Sequence, residues 1–164
     1  MARVAEGMTI LIADDDAEDC MMTERALAAS RGADDLRFVG DGEALIDYLM
    51  RRGEYADPLS SPRPDIILLD LNMPKKDGYA ALEEIKVQPG IRRIPIVVFT
   101  TSNVEEDIQL SYDRGASSFI TKPETYQGLV EAMKCFGEYW LEIATLPDPT
   151  KRWVHPASSG SRST

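Results

Sequence analysis

Ile66-Ile67-Leu68-Leu69-Asp70-Leu71-Asn72-Met73-Pro74-Lys75-Lys76-Asp77-Gly78 carries four apolar residues straight into a carboxylate and then into a proline-fixed turn. Apolar residues without polar alternation read as a short strand buried on both faces, the pattern of a parallel sheet covered by helices. Comparable runs stand at Thr9-Ile10-Leu11-Ile12-Ala13, Leu36-Arg37-Phe38-Val39, Ile96-Val97-Val98-Phe99 and Phe119-Ile120. Between them lie helical patterns over residues 17–30, 42–52, 78–87 and 103–114, the last ended by Gly115 as a C-cap, and a long pattern follows Pro123. Five strands separated by helices predict a flavodoxin-like, doubly wound α/β fold. Its parallel sheet takes the order 2-1-3-4-5, with helices on both faces. In that order strands 1 and 3 are neighbours, and ligands bind beyond the strand C-termini where the winding reverses.

The 164 residues suit one domain with a short appendage. Residues 1–7 are expected to be flexible, 8–146 to form the folded unit, and the Pro-, Ser- and Gly-rich stretch 147–164 to be disordered. Residues 53–64 hold Pro58, Pro62 and Pro64 and predict a long surface loop before strand 3. The net charge of −10 argues against nucleic acid and anionic membrane as partners, since both demand basic patches. The tail carries Lys151, Arg152 and Arg162 against Asp148, so the acidity belongs to the folded body. Cys20 and Cys135 lack metal or redox spacing and read as buried or half-buried free thiols in a reducing compartment. No run approaches the roughly 18 apolar residues that span a bilayer, so a cytoplasmic location is expected.

The strand ends carry the chemistry. Strand 1 runs into Asp14-Asp15-Asp16, strand 3 into Asp70, strand 4 into Thr100-Thr101 and strand 5 into Lys122-Pro123. Carboxylates about 4 Å apart repel by roughly 4 kcal/mol at an effective dielectric of 20, so the cluster calls for a cation. Few hard oxygen ligands with room for water and phosphate suit Mg²⁺. Asp14 to Asp16 read equally well as an N-terminal cap of the first helix. Asp70 is placed to act as a nucleophile toward phosphorus, and Lys122 and Thr100 to hold phosphoryl oxygens. Taken singly, Thr100 also reads as a β-former and Lys122 as a surface lysine, and their places at the ends of different strands speak for the site.

With these residues in view, the chain resembles the receiver domain of two-component response regulators from about Thr9 to Ile143. The match lies in Asp14-Asp15, the Asp70-x-Asn72-Met73-Pro74-x-x-Asp77-Gly78 turn, Thr100 and Lys122-Pro123. The resemblance implies that Asp70 accepts a phosphoryl group from a sensor histidine kinase in a Mg²⁺-dependent phosphorelay. Asp15, Asp70 and the backbone carbonyl of Asn72 would ligate the metal, with Asp14 acting through water. Lys122 and Thr100 would bind the phosphoryl group, and Thr100 and Phe119 would form the switch pair; Phe119 also reads as a plain core aromatic. The long loop before strand 3, the Thr100-Thr101-Ser102 ending and the extended last helix resemble stand-alone regulators paired with phytochrome-type kinases.

Leu129, Met133, Phe136, Trp140 and Ile143 repeat at spacings of four and three, one apolar seam along the last helix. The seam predicts a homodimer through Met133, Phe136, Trp140 and Ile143, as in receivers that pair through helix 4, strand 5 and helix 5. The alternative is that Trp140 folds back onto its own domain. A different class, the aspartate-nucleophile phosphatase of the haloacid-dehalogenase type, expects a second Asp two residues after the nucleophile. Here Asn72 stands at that position, and the chain has no room for a cap domain. The protein is therefore expected to be a phosphoacceptor that supports its own phosphoryl transfer and hydrolysis, rather than an enzyme.

Overall fold

The computed structural model describes residues 7–28 and 35–149. The strands are β1 (Thr9–Ala13), β2 (Asp35–Val39), β3 (Ile66–Leu69), β4 (Ile96–Thr100) and β5 (Ser118–Thr121). The helices are α1 (Ala17–Ala28), α2 (Gly42–Leu49), α3 (Gly78–Val87), α4 (Glu105–Asp113) and α5 (Tyr126–Gly137). The sheet is parallel throughout in the order β2-β1-β3-β4-β5, as the run pattern predicts. The fold is the flavodoxin-like one, with helices on both faces.

Although β1, β3 and β4 are buried along their whole length, alternate residues enter different cores. Leu11, Ala13, Ile67, Leu69, Ile96 and Val98 pack with α2 and α3, through residues such as Leu45, Leu49, Leu82 and Ile85. Ile10, Ile12, Ile66, Leu68, Val97 and Phe99 pack with α1 and α5, through Ala26, Leu27, Leu129, Met133 and Phe136. Burial of one Leu or Ile side chain contributes about 1.5–3 kcal/mol, so both layers hold the central strands firmly. α4 is the exception: Ser111 is its sole buried residue, its hydroxyl donating to the Asp107 carbonyl at 2.7 Å. Gly115 follows α4 with φ of +107°, the left-handed cap that the sequence predicts.

The apolar seam of the last helix is not continuous. Residues Glu138–Ile143 form a π-helical segment after α5, and the Ala144 amide donates to the Tyr139 carbonyl across five residues. The wider turn breaks the three-four spacing. Leu141 becomes the buried residue, Trp140 packs half-buried on the same α1–α5 core, and Ile143 is left 72% exposed. Met133 and Phe136, expected at a dimer interface, are instead buried in the domain's own core at 0% and 3% exposure. A continuous α-helix would have put Trp140 and Ile143 on one line; the π-turn separates them.

Other expectations are adjusted more lightly. α2 stops at Leu49 rather than near residue 52, because Arg51 takes a left-handed φ of +57°. Helix 1 ends at Ala28 among the described residues, and the expected positions 29 and 30 lie outside them. Cys20 is half-buried and free, whereas Cys135 is exposed, contrary to the buried reading. The chain is described through Pro149, with Asp148 and Pro149 half-buried near Asp65, Arg93 and Ile94. The start of the expected disordered tail thus lies against the domain; the rest of that tail and residues 1–6 fall outside the described residues.

Gly78, the first residue of α3, lies directly against the end of β3. A β-carbon there would sit 2.6 Å from the Asp70 carbonyl oxygen and 2.6 Å from the Leu71 α-carbon. Backbone cannot yield as a side-chain tip does, so Gly78→Ala is expected to destabilise the domain by about 1–3 kcal/mol in urea unfolding. A stability equal to wild type would show that α3 and β3 are not locked together at this point.

Candidate functional site

The backbone ladder continues one residue past three strands, and each extra rung anchors a site residue. The Asp14 amide donates to the Val39 carbonyl at 3.0 Å, the Asp70 amide to Ala13 at 2.9 Å, and the Lys122 amide to Thr100 at 2.6 Å. Asp14, Asp70 and Lys122 are therefore fixed to β2, β1 and β4 respectively, at the C-terminal edge of the sheet. The proline turn after Asp70 holds Lys75 at a left-handed φ of +65°. Within it the Asn72 amide donates to Asp70 Oδ1 at 3.1 Å, so the carboxylate is oriented by its own turn.

Carboxylate oxygens of Asp14, Asp15 and Asp70 all lie within 4.8 Å of one another. Asp14 and Asp70 are buried and Asp15 is exposed, so the cluster opens to solvent on one side. The triplet divides its two readings between its members. Asp14 and Asp15 enter the cluster, whereas Asp16 Oδ1 caps α1 by accepting from the Glu18 and Asp19 amides at 2.9 and 3.1 Å. Asp14 Oδ1 accepts from the Asp16 amide at 3.0 Å, which ties the cap to the site.

Lys122 Nζ reaches into this edge and donates to Asp14 Oδ2 at 2.7 Å, Asp19 Oδ2 at 2.9 Å and Asp70 Oδ2 at 3.1 Å. Its side chain is only 8% exposed. Burial pulls the ammonium's pKa down, but the hydrogen bonds to Asp14 and Asp19 and the charges of Asp14 and Asp70 outweigh it, and the net direction is up. Asp14 is pushed above the usual carboxylate range, chiefly by burial and with the Asp70 charge adding to it, against the Lys122 hydrogen bond.

Thr100 completes the edge at 0% exposure, and its hydroxyl oxygen is buried with no hydrogen-bond partner. A buried polar atom without a partner is costly, and at the sheet edge that holds Lys122 it marks a donor without an acceptor. Phe119 lies half-buried on β5, paired in register with Val98 and packed against the α2–α3 core. Hard oxygen donors grouped around one open side fit a divalent cation. Asp19 is the residue that sequence reading misses. As an acidic residue in the first turn of a helix it reads as a dipole contact, and nothing in the linear order links it to Lys122.

Residues 10–134 match the family described as the response regulator receiver domain. The chain is 40% identical over 138 residues to response regulator Rcp1 of Synechocystis, covering 84% of this chain and 92% of that protein. Among solved structures, the phosphorylated cyanobacterial phytochrome response regulator RcpA superposes with a TM-score of 0.81 at 42% identity. That match covers 87% of this chain and 99% of RcpA. The Mn²⁺-bound form of Rcp1 gives 0.80 at 39% identity, covering 86% and 99%.

The unpartnered hydroxyl makes a direct prediction. Thr100→Val removes a buried donor that has no acceptor in the resting protein, so unfolding should show equal stability or a gain of up to about 1 kcal/mol. A loss larger than that would mean that the hydroxyl is already satisfied.

Proposed function

Because the chain belongs to the response regulator receiver family, we propose that Asp70 is its phosphoacceptor and that it draws on a phytochrome-type histidine kinase. The observation that carries the assignment is the convergence of Asp14, Asp15, Asp70, Lys122 and Thr100 on one sheet edge, with the Thr100 hydroxyl unpaired. An Asp70 carboxylate oxygen attacks the phosphorus of the kinase's phosphohistidine. The phosphorus–nitrogen bond breaks, its electron pair stays with the imidazole nitrogen, and an acyl phosphate forms on Asp70. Lys122 turns from Asp70 to a phosphoryl oxygen, and Thr100 donates its free hydroxyl to another. Asp15, Asp70, the Asn72 carbonyl and, through water, Asp14 would hold a divalent cation, Mg²⁺ in this reading, which would supply charge neutralisation for the incoming group. The same residues support hydrolysis of the acyl phosphate, which resets the protein.

The phosphoryl group adds roughly two negative charges and must bias an existing equilibrium to signal. α4 is the element most open to such a bias, since it buries Ser111 alone while the central strands are locked. Thr100 and Phe119 form the switch pair in this reading, with Phe119 following the threonine inward on the β5 side. The phytochrome link is supported by the likeness to RcpA along almost its whole length. Among the described residues no helix is long and apolar enough to cross a membrane. The net charge of −10 argues against nucleic acid as a partner.

A homodimer remains part of this reading, now through the residues that the π-turn leaves outside. Tyr139 and Ile143 are 52% and 72% exposed, with Tyr139 edge-on to Trp140 at 5.0 Å between ring centroids.

Two measurements follow. Acetyl phosphate with Mg²⁺ should raise the intact mass by about 80 Da, and Asp70→Asn should show no gain; a full gain in that variant would move the acceptor elsewhere. Sedimentation velocity should give a dimer for wild type and a shift toward monomer for Ile143→Asp. An Ile143→Asp protein that sediments as wild type would remove this end of the chain from any interface.

A further inference from the structure

Lys122 is held by three carboxylates, but only two of them belong to the metal-type cluster. Asp14 and Asp70 lie within 4.8 Å of Asp15 and of each other; Asp19 is outside that group and meets the site through the Lys122 ammonium at 2.9 Å. Its side chain is 32% exposed, against 5% for Asp14 and 10% for Asp70. It lies on the outer flank of the site, where Asp19 and Lys122 both border a cleft of about 130 Å³ between α1 and the start of α5. The position of Asp19 is fixed from behind, since its amide is bound to the capping Asp16 carboxylate at 3.1 Å.

An ammonium has three N–H donors, and here each faces a carboxylate. Two of those acceptors must change partners for the site to work. A cation bound among Asp14, Asp15 and Asp70 would repel the ammonium and compete for the same carboxylates, and a phosphoryl group on Asp70 would then need a Lys122 N–H. Without a third carboxylate, Lys122 would have to leave its counter-charges before gaining a new one. With Asp19 it keeps one ion pair throughout and can pivot about it.

We propose that Asp19 is a positioning residue for phosphoryl transfer, acting through Lys122: it is the fixed anchor on which the ammonium swings from the acidic pair to the phosphoryl group. The inference rests on Asp70 as acceptor for its kinetic consequence, but the anchoring itself concerns the metal-free resting protein.

The test compares wild type with Asp19→Asn, Asp19→Glu and Glu18→Gln. Glu18→Gln removes the same charge from the same exposed helical turn without touching Lys122. In metal-free protein, nitrogen-detected NMR of lysine ammonium groups should show a protected Lys122 signal in wild type and in Glu18→Gln. Faster hydrogen exchange is expected in Asp19→Asn, with part of the protection returning in Asp19→Glu. In Mn²⁺ titration and in acetyl-phosphate labelling at saturating Mg²⁺, Asp19→Asn should lose about threefold to tenfold, and Glu18→Gln far less. Equal losses in Asp19→Asn and Glu18→Gln would reduce the role to net charge and overturn the proposal, as would an unchanged Lys122 signal in Asp19→Asn. Were wild type to take no label on Asp70, the receiver reading would fail at that point, while the NMR comparison would still decide whether Asp19 anchors Lys122.

Discussion

One ammonium, Lys122 Nζ, stands against the carboxylates of Asp14, Asp19 and Asp70, with Asp15 close by, at the end of a sheet that cannot move to relieve them. Carboxylates crowded at this spacing repel one another, and in a partly buried setting water screens them poorly. β1 and β3, which run into Asp14 and Asp70, are buried on both faces and locked by two cores, so the repulsion is held in place rather than relaxed. The site is thereby short of positive charge at rest, which favours a divalent cation. The unpartnered Thr100 hydroxyl adds a second deficit of opposite kind, a buried donor with no acceptor. A phosphoryl group on Asp70 with a bound cation, as proposed above, would satisfy both.

Rigidity and looseness are distributed in accordance with that role. Asp14, Asp70 and Lys122 are each tied by a backbone hydrogen bond to the neighbouring strand, and Gly78 lets α3 press against the backbone of Asp70. These contacts fix the backbone on which the three side chains stand. α4, in contrast, has almost nothing buried, and a lightly anchored element is where a new charge can alter the balance between conformations at low cost. At the β4–α4 junction, the Asp107 carboxylate accepts from the Ser102 and Tyr79 hydroxyls, which hold it below the usual carboxylate range. That network spans the loop after Thr100, α3 and α4, so the start of α4 is tied to the strand end by polar contacts more than by packing.

Legible from residue order alone were the five strands, the helices between them, the sheet order and four of the strand ends that build the site. Each depends on a local signal: an unbroken apolar run, a glycine cap, a proline turn, a charged residue at a run's end. The signals failed where two segments distant in sequence had to meet or where the backbone left its regular geometry. Asp19 and Lys122 are 103 residues apart, and an aspartate in a first helical turn looks the same whether it faces solvent or an ammonium. The seam through Met133, Phe136, Trp140 and Ile143 assumed 3.6 residues per turn; the π-segment over Glu138–Ile143 widens the turn and points the residues to different sides. Which apolar face meets the sheet and which is left for a partner depends on packing space, and no pattern of hydrophobicity in one helix records the shape of its neighbours.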